Sequence, residues 1–326
     1  MNKLLISGFL VLFLVTGCGK IPTLENGQEA VVTSKKEAIS IDSLYNEMKE
    51  RYALSVLLDM IDRQILDEKY EDTDEQAEEI DAQIQSWIIQ FGSEQTLLQQ
   101  TNSAWGVDTI EELTNYLKLE YKRNKAIEDY AKSIVTEDEI NKFYEEKIFG
   151  DISAKHILIE PETTSEMTDS EKTAAEEEAL KKAKEIISKL KNGESFEDLA
   201  KEHSNDDATK SKGGLLDDFG YGVMTDAFEE AAKKLENGKY TTEPVKTEFG
   251  YHIILKVSQK EKPELKIVKD DIIEEISQDK LSEDQTLYIT ALEKLRENEK
   301  VEIQDKQLKS QYEAYLVNAK ANAKDE

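Results

Sequence analysis

The chain is poor in the residues that build disulfide frameworks, metal centres and nucleic-acid interfaces. One cysteine, Cys18, stands among 326 residues, so no disulfide can form within the chain. The only histidines are His156, His203 and His252. No HxxxH or HxxEH spacing and no cysteine partner accompanies them, which argues against a metal site. No cofactor is expected. There is no GxSxG elbow, so a serine hydrolase is poorly supported. Basic residues are outnumbered, with Lys and Arg at 42 against Asp and Glu at 70, for a net charge of -28. That balance argues against nucleic acid and against adsorption to an anionic membrane by charge, and favours a self-repelling, soluble chain. Glycine at 14, proline at 4 and aromatics at 7% are all scarce. Abundant Glu, Lys, Leu and Ala with so few breakers favours long helices.

The N-terminus carries what the rest lacks. Lys3 supplies a short positive region, and residues 4–15 are apolar apart from Ser7 and Gly8. This run is shorter than the roughly 20 residues of a membrane span and fits the hydrophobic part of a signal peptide. It ends Val15-Thr16-Gly17-Cys18, which resembles the lipobox of bacterial lipoproteins. The resemblance implies a signal peptide over 1–17, diacylglycerol on the Cys18 thiol, and a lipid-anchored chain on the extracytoplasmic face of a bacterial cell membrane. Residues 18–33 read as a polar, aperiodic, flexible tether.

From residue 34 to about 130 apolar residues recur at spacings of three and four, as in Leu44, Met48, Leu54, Leu57, Leu58, Ile61 and Ile65, the signature of amphipathic helices. Thr136-Glu137-Asp138-Glu139 reads as a capping box opening another helix. At Asp151 the pattern changes. Residues 152–159 read as a strand, 170–190 as a charged helix ended by Asn192-Gly193, 226–235 as a helix, and Pro244-Val245 and 251–257 as strands. After Lys262-Pro263 helices return over 267–281, 285–295 and 307–317, with 301–303 short and extended. The expected organisation is a helical part over 34–148, an α+β domain over 149–260, and a helical part over 261–326 that packs back on the first, so that the α+β domain is an insertion.

Two histidines sit in matching strand contexts: Lys155-His156-Ile157 and Tyr251-His252-Ile253. On residue type alone, strand histidines are structural groups hydrogen-bonded through their rings, and Leu216, Met224 and Phe228 are core. The two strings, with Gly213-Gly214, Met224-x-x-x-Phe228, His203-Ser204, Pro244-Val245 and Thr247 between or beside them, resemble the parvulin prolyl isomerases over about 152–257. With the lipobox and helical flanks, nearly the whole chain resembles the PrsA-type foldase lipoproteins.

That resemblance implies an α+β fold: a four-stranded antiparallel sheet with helices, inserted in an all-helical, chaperone-like body. It implies a peptidyl-prolyl cis-trans isomerase in which His156 and His252 are the paired histidines. Asp206 stands where many parvulins have Cys, Thr247 is the hydroxyl beside the pair, and Leu216, Met224 and Phe228 cradle the proline ring. The partners implied are unfolded or newly secreted polypeptides and the membrane through the anchor; a homodimer is left open. The family's usual Gly-Gly-Asp-Leu-Gly-Trp stands here as Gly213-Gly214-Leu215-Leu216-Asp217-Asp218. That departure keeps open an alternative, a holdase chaperone whose parvulin domain has little or no catalytic activity.

Overall fold

The computed structural model describes residues 29–34 and 38–324. The expected signal peptide, Cys18 and the tether as far as residue 28 lie outside the described residues. In chain order the elements are β1 (Ala30–Thr33), β2 (Ala38–Ser40), α1 (Ile41–Arg51), α2 (Ala53–Lys69), α3 (Asp74–Phe91), α4 (Glu94–Trp105), α5 (Ile110–Ser133) and α6 (Glu137–Lys147). They continue with β3 (Ile152–Ile159), α7 (Asp169–Lys191), α8 (Phe196–His203), α9 (Asp226–Lys234), β4 (Val245–Thr247) and β5 (Gly250–Gln259). The last three are α10 (Leu265–Glu283), α11 (Thr286–Asn298) and α12 (Lys306–Asn322). The chain divides into two compact units, one of the residues up to Ala131 with those from Lys280 onward, the other of Lys132–Asp279.

Local chemistry sets the helix boundaries. Thr73 and Ser93 accept backbone N–H bonds that open α3 and α4, and Gly92 and Gly106 end them in the left-handed region. Thr136 and Thr168 each form a complete capping box, with Glu139 and Glu171. In the first unit, Ile80, Ile84, Leu97, Val107 and Leu113 form one core with Trp87 beside them. Leu66, Leu119 and Ala126 form another with Leu295 of α11. Between these helices lies Asp62, fully buried. Arg296 donates to both its oxygens at 2.7 Å, and Arg123 Nε donates at 2.8 Å. The short hairpin of β1 and β2 corrects the sequence reading twice. Residues 30–33 are a strand rather than tether, and 38–40 a strand rather than helix.

The second unit is built on a sheet of order β3-β5-β4, antiparallel throughout. Side chains alternate across it with period two. Ile157, Ile159, Tyr251 and Ile253 pack against Ala183, Ile186 and Leu190 of α7 and Phe196 and Leu199 of α8. The opposite face buries Ala154 and Ile254 with Phe219 and with Phe228 and Ala232 of α9. A third core joins Ile140 of α6 to Ile272 and Ile276 of α10.

The expected fourth strand is absent among the described residues; the sheet has three. The segment after Gly214 does run antiparallel along the free edge of β3, but only isolated bridges form, Lys155 with Leu215 and Ile152 with Phe219. Three steps on β3 face four on the partner, so one extra residue is accommodated between the bridges. An extra residue breaks a ladder in the manner of a β-bulge. It falls where Asp217 and Asp218 stand.

Candidate active site

The antiparallel register places His156 opposite Ile254 and His252 opposite Leu158. The two histidines are therefore diagonal neighbours on one face of adjacent strands, within reach of each other. Both are 6% exposed. Their rings lie nearly parallel, at 15° with centroids 5.4 Å apart, and the Nδ1 atoms are 3.2 Å apart. Two glycines let neighbouring chain approach the backbone of β3 closely. A Cβ on Gly214, where φ is +80°, would meet the His156 carbonyl oxygen at 2.1 Å. At Gly250, with φ +134°, it would meet the Ile159 carbonyl at 2.5 Å. Only glycine accommodates both the left-handed backbone and the contact.

The outer ring nitrogens settle the direction of every hydrogen bond. His156 Nε2 is 2.7 Å from Asp206 Oδ2 and 3.1 Å from Thr209 Oγ1. Burial pushes the Asp206 carboxyl up, but hydrogen bonds from Thr209, His156 and the Ala208 N–H together outweigh it and leave the pKa below the ordinary carboxylate value. Asp206 is thus an acceptor, and His156 carries its proton on Nε2. Burial lowers the His156 pKa more than Asp206 raises it, so the ring is neutral and Nδ1 is a bare acceptor. His252 must then donate from Nδ1. Burial first, and the neighbouring His156 second, hold His252 down to about 4. Its bare Nε2 accepts from the Thr247 hydroxyl at 2.8 Å, and Thr247 Oγ1 in turn accepts from the Phe249 N–H at 3.1 Å. One directed chain runs from the Phe249 amide to the Asp206 carboxylate, and it fixes both tautomers.

Phe228 closes the apolar side. Its ring meets His252 edge-on at 5.3 Å and 87°, and His156 at 5.8 Å and 78°. Phe219 braces it from behind at 5.8 Å. Leu216 and Met224 pack against the same cluster but remain partly exposed. The Met224 N–H is held by Glu229 Oε1 at 3.0 Å. The structure therefore brings together His156, His252, Asp206 and Thr247 in one hydrogen-bonded chain, and Leu216, Met224 and Phe228 in one apolar cluster beside it. His203 lies apart, with Nε2 at 3.0 Å from Lys189 Nζ. Among the described residues no group of His, Cys, Asp and Glu could hold a metal ion.

Thr209 is a site residue that the sequence pattern does not mark. It touches both His156 and Asp206. Its only legible signal is a hydroxyl three residues after Asp206, which is common and unspecific.

Paired neutral histidines on adjacent strands, with an apolar cradle against them and no nucleophile in the chain of hydrogen bonds, define a parvulin-type peptidyl-prolyl isomerase. Residues 156–258 match the family model described as Rotamase, PPIC-type PPIASE domain. Beyond that domain, the chain is 39% identical over 283 residues to "Foldase protein PrsA" of Geobacillus kaustophilus, covering 87% of this chain and 89% of that one. It is 34% identical over 301 residues to the PrsA of a second Geobacillus strain, covering 92% and 97%. The chain belongs to the PrsA foldase family. The crystal structure of PrsA from Streptococcus pneumoniae shares the fold, with a TM-score of 0.59 at 21% identity over 87% of this chain and 98% of that one.

Proposed function

We propose that this isomerase is a lipid-anchored, extracytoplasmic foldase that acts on unfolded, newly secreted polypeptides. Cys18, the only cysteine, within a lipobox-like Val-Thr-Gly-Cys, supports the anchor. Two acyl chains would suffice, since burial contributes about 0.8 kcal/mol per CH2 and two signals make anchoring stable. Metabolic labelling with a fatty acid should tag the wild type and not Cys18→Ala; equal labelling of both rules out the anchor.

The observation that carries the catalytic reading is the buried, neutral, directionally fixed histidine pair against the edge of Phe228. Rotation about an X–Pro bond is slow because the amide is partly double-bonded, with a barrier of about 20 kcal/mol. Leu216, Met224 and Phe228 hold the proline ring and exclude water, which disfavours the charge-separated planar amide. His156, His252, Asp206 and Thr247 hold the polar wall to a shape that suits the twisted state. No bond need break, because the reaction only rotates the amide, and the group beside His156 is the carboxylate of Asp206 rather than a thiol. Protease-coupled isomerisation of an X–Pro peptide tests this. His156→Ala and His252→Ala should each slow it, and unchanged rates in both remove the pair from the mechanism. A second reading, a holdase with a nearly inactive domain, draws on the bulge at Asp217-Asp218 beside Leu216. It becomes the better account if the wild type itself fails to accelerate the reaction while still suppressing aggregation.

A further inference from the structure

The segment that supplies the proline cradle has a second face. Phe219 braces Phe228, and Met224 lies in the cradle, but Tyr221 between them turns to a separate cavity of about 400 Å³. Its lining comes from α6, the loop after it, and one face of α10. The floor is apolar and aromatic: Phe143, Ile148, Val268 and Ile272, with Phe143 meeting Tyr221 edge-on at 5.1 Å. The rim is acidic. Asp271 and Glu275 lie one turn apart on α10, exposed, and neither forms an ion pair among the described residues.

Neighbouring cations do not answer that charge. Lys260 is held by Asp151 and Asp218, Lys262 lies over the Tyr144 ring and near Glu145, and Lys269 is held by Glu137. The Tyr221 phenol senses the field directly. Burial raises its pKa, and the carboxylates of Glu275, Asp279, Asp226 and Glu229 raise it further. An apolar floor with aromatic edges and an unanswered negative rim matches one side-chain chemistry, a long aliphatic stem ending in a cation. The stem lies on the rings while the charge reaches the carboxylates.

We infer that this cavity is a subsite for a lysine or arginine side chain of an extended polypeptide, lying behind the proline cradle on the same segment. A client carrying a basic residue near its X–Pro bond would be held at two points, and Phe219 to Met224 would be the wall shared by both. That the carrier is an unfolded client rests on the foldase reading; the preference of the cavity for a cation does not.

The test uses the full chain and two capped, proline-free pentapeptides, Ala-Ala-Lys-Leu-Ala and the same peptide with norleucine for lysine. Norleucine keeps the stem and removes the charge. Binding is followed by NMR shifts of Tyr221 and the Ile272 methyl. At low salt the lysine peptide should bind about tenfold more tightly, an advantage of the size expected for a cation over rings and two exposed carboxylates. High salt, or Asp271→Asn with Glu275→Gln, should remove the advantage. Glu275→Gln alone should halve it or more. Equal binding of the two peptides, no binding at all, or a lysine preference that survives in the double variant overturns the inference. Isomerisation of an X–Pro peptide without basic residues should be unaffected by the double variant, so failure of the subsite and failure of the catalytic reading are told apart.

Discussion

Protonating the histidine pair should destabilise the isomerase unit. His252 has its pKa held from an ordinary 6.5 down to about 4, through burial and then through His156. Between those values the unfolded chain binds the proton and the folded one does not. Stability from this group is therefore complete above about 6.5 and is lost as pH falls through about 4. The loss amounts to about 3 kcal/mol, at 1.36 kcal/mol for each pH unit. Whole-domain stabilities are about 5–15 kcal/mol, so the effect is large enough to read. His156 is depressed by burial as well and adds in the same direction, and the depressed Asp206 adds a further loss at lower pH. The assay is NMR titration of the ring protons, with urea unfolding followed at the Ile253 and Ile254 methyls across the same range. His252→Gln cannot take up the proton, so its stability should depend less steeply on pH between 6.5 and 4 than that of the wild type. A His252 that titrates near 6.5, or an unchanged slope in His252→Gln, refutes the argument that burial keeps the pair neutral.

Two further substitutions probe the framework. Gly214→Ala places a Cβ at 2.1 Å from the His156 carbonyl in a left-handed backbone; it should cost at least about 1–3 kcal/mol and shift the His156 ring resonances, as strain at such positions does. Asp62→Asn leaves the buried Arg296 without its carboxylate, while Arg123 keeps Asp59 and Glu120, and should cost about 3–5 kcal/mol. Trp87 and Trp105 both lie in the unit that contains Asp62, so tryptophan fluorescence during urea unfolding measures that loss directly.

The sequence made the long elements legible. Residues 152–159 read as a strand and are β3, and the charged run read as a helix over 170–190 is α7, Asp169–Lys191. Both carry strong signals: an isoleucine-rich stretch ending Ile157-Leu158-Ile159 in one, and a long Ala-, Glu- and Lys-rich run with a terminal Asn-Gly in the other. The hairpin of β1 and β2 carried none, because strands of four and three residues are too short to show alternation. The fourth strand failed because one additional residue near Asp217 spoils pairing with β3, and strand propensity does not report register. The site was legible only through resemblance. His156 and His252 are 96 residues apart, and no local pattern says that two antiparallel strands will set them diagonally on one face. Thr209 meets His156 across 53 residues, another contact made by the fold alone. The bland reading of Phe228 as core is also true: it is 3% exposed, and its edge is turned to the histidines.

The reach of Arg296 to Asp62, across 234 residues, sets an order of assembly. A chain emerging N-terminus first presents α2 and α5 long before α11, so Asp62 waits with Arg123 alone and the core around Leu66 waits for Leu295. All of β3, β4 and β5 has emerged by residue 259. The sheet-bearing unit can therefore condense while the helical one is still open, since domains fold as units once their residues are present. A nascent chain stalled before α11 would hold a finished isomerase beside an unfinished body whose apolar helix faces are still exposed. During its own biogenesis the molecule is briefly half finished, with the catalytic part already built.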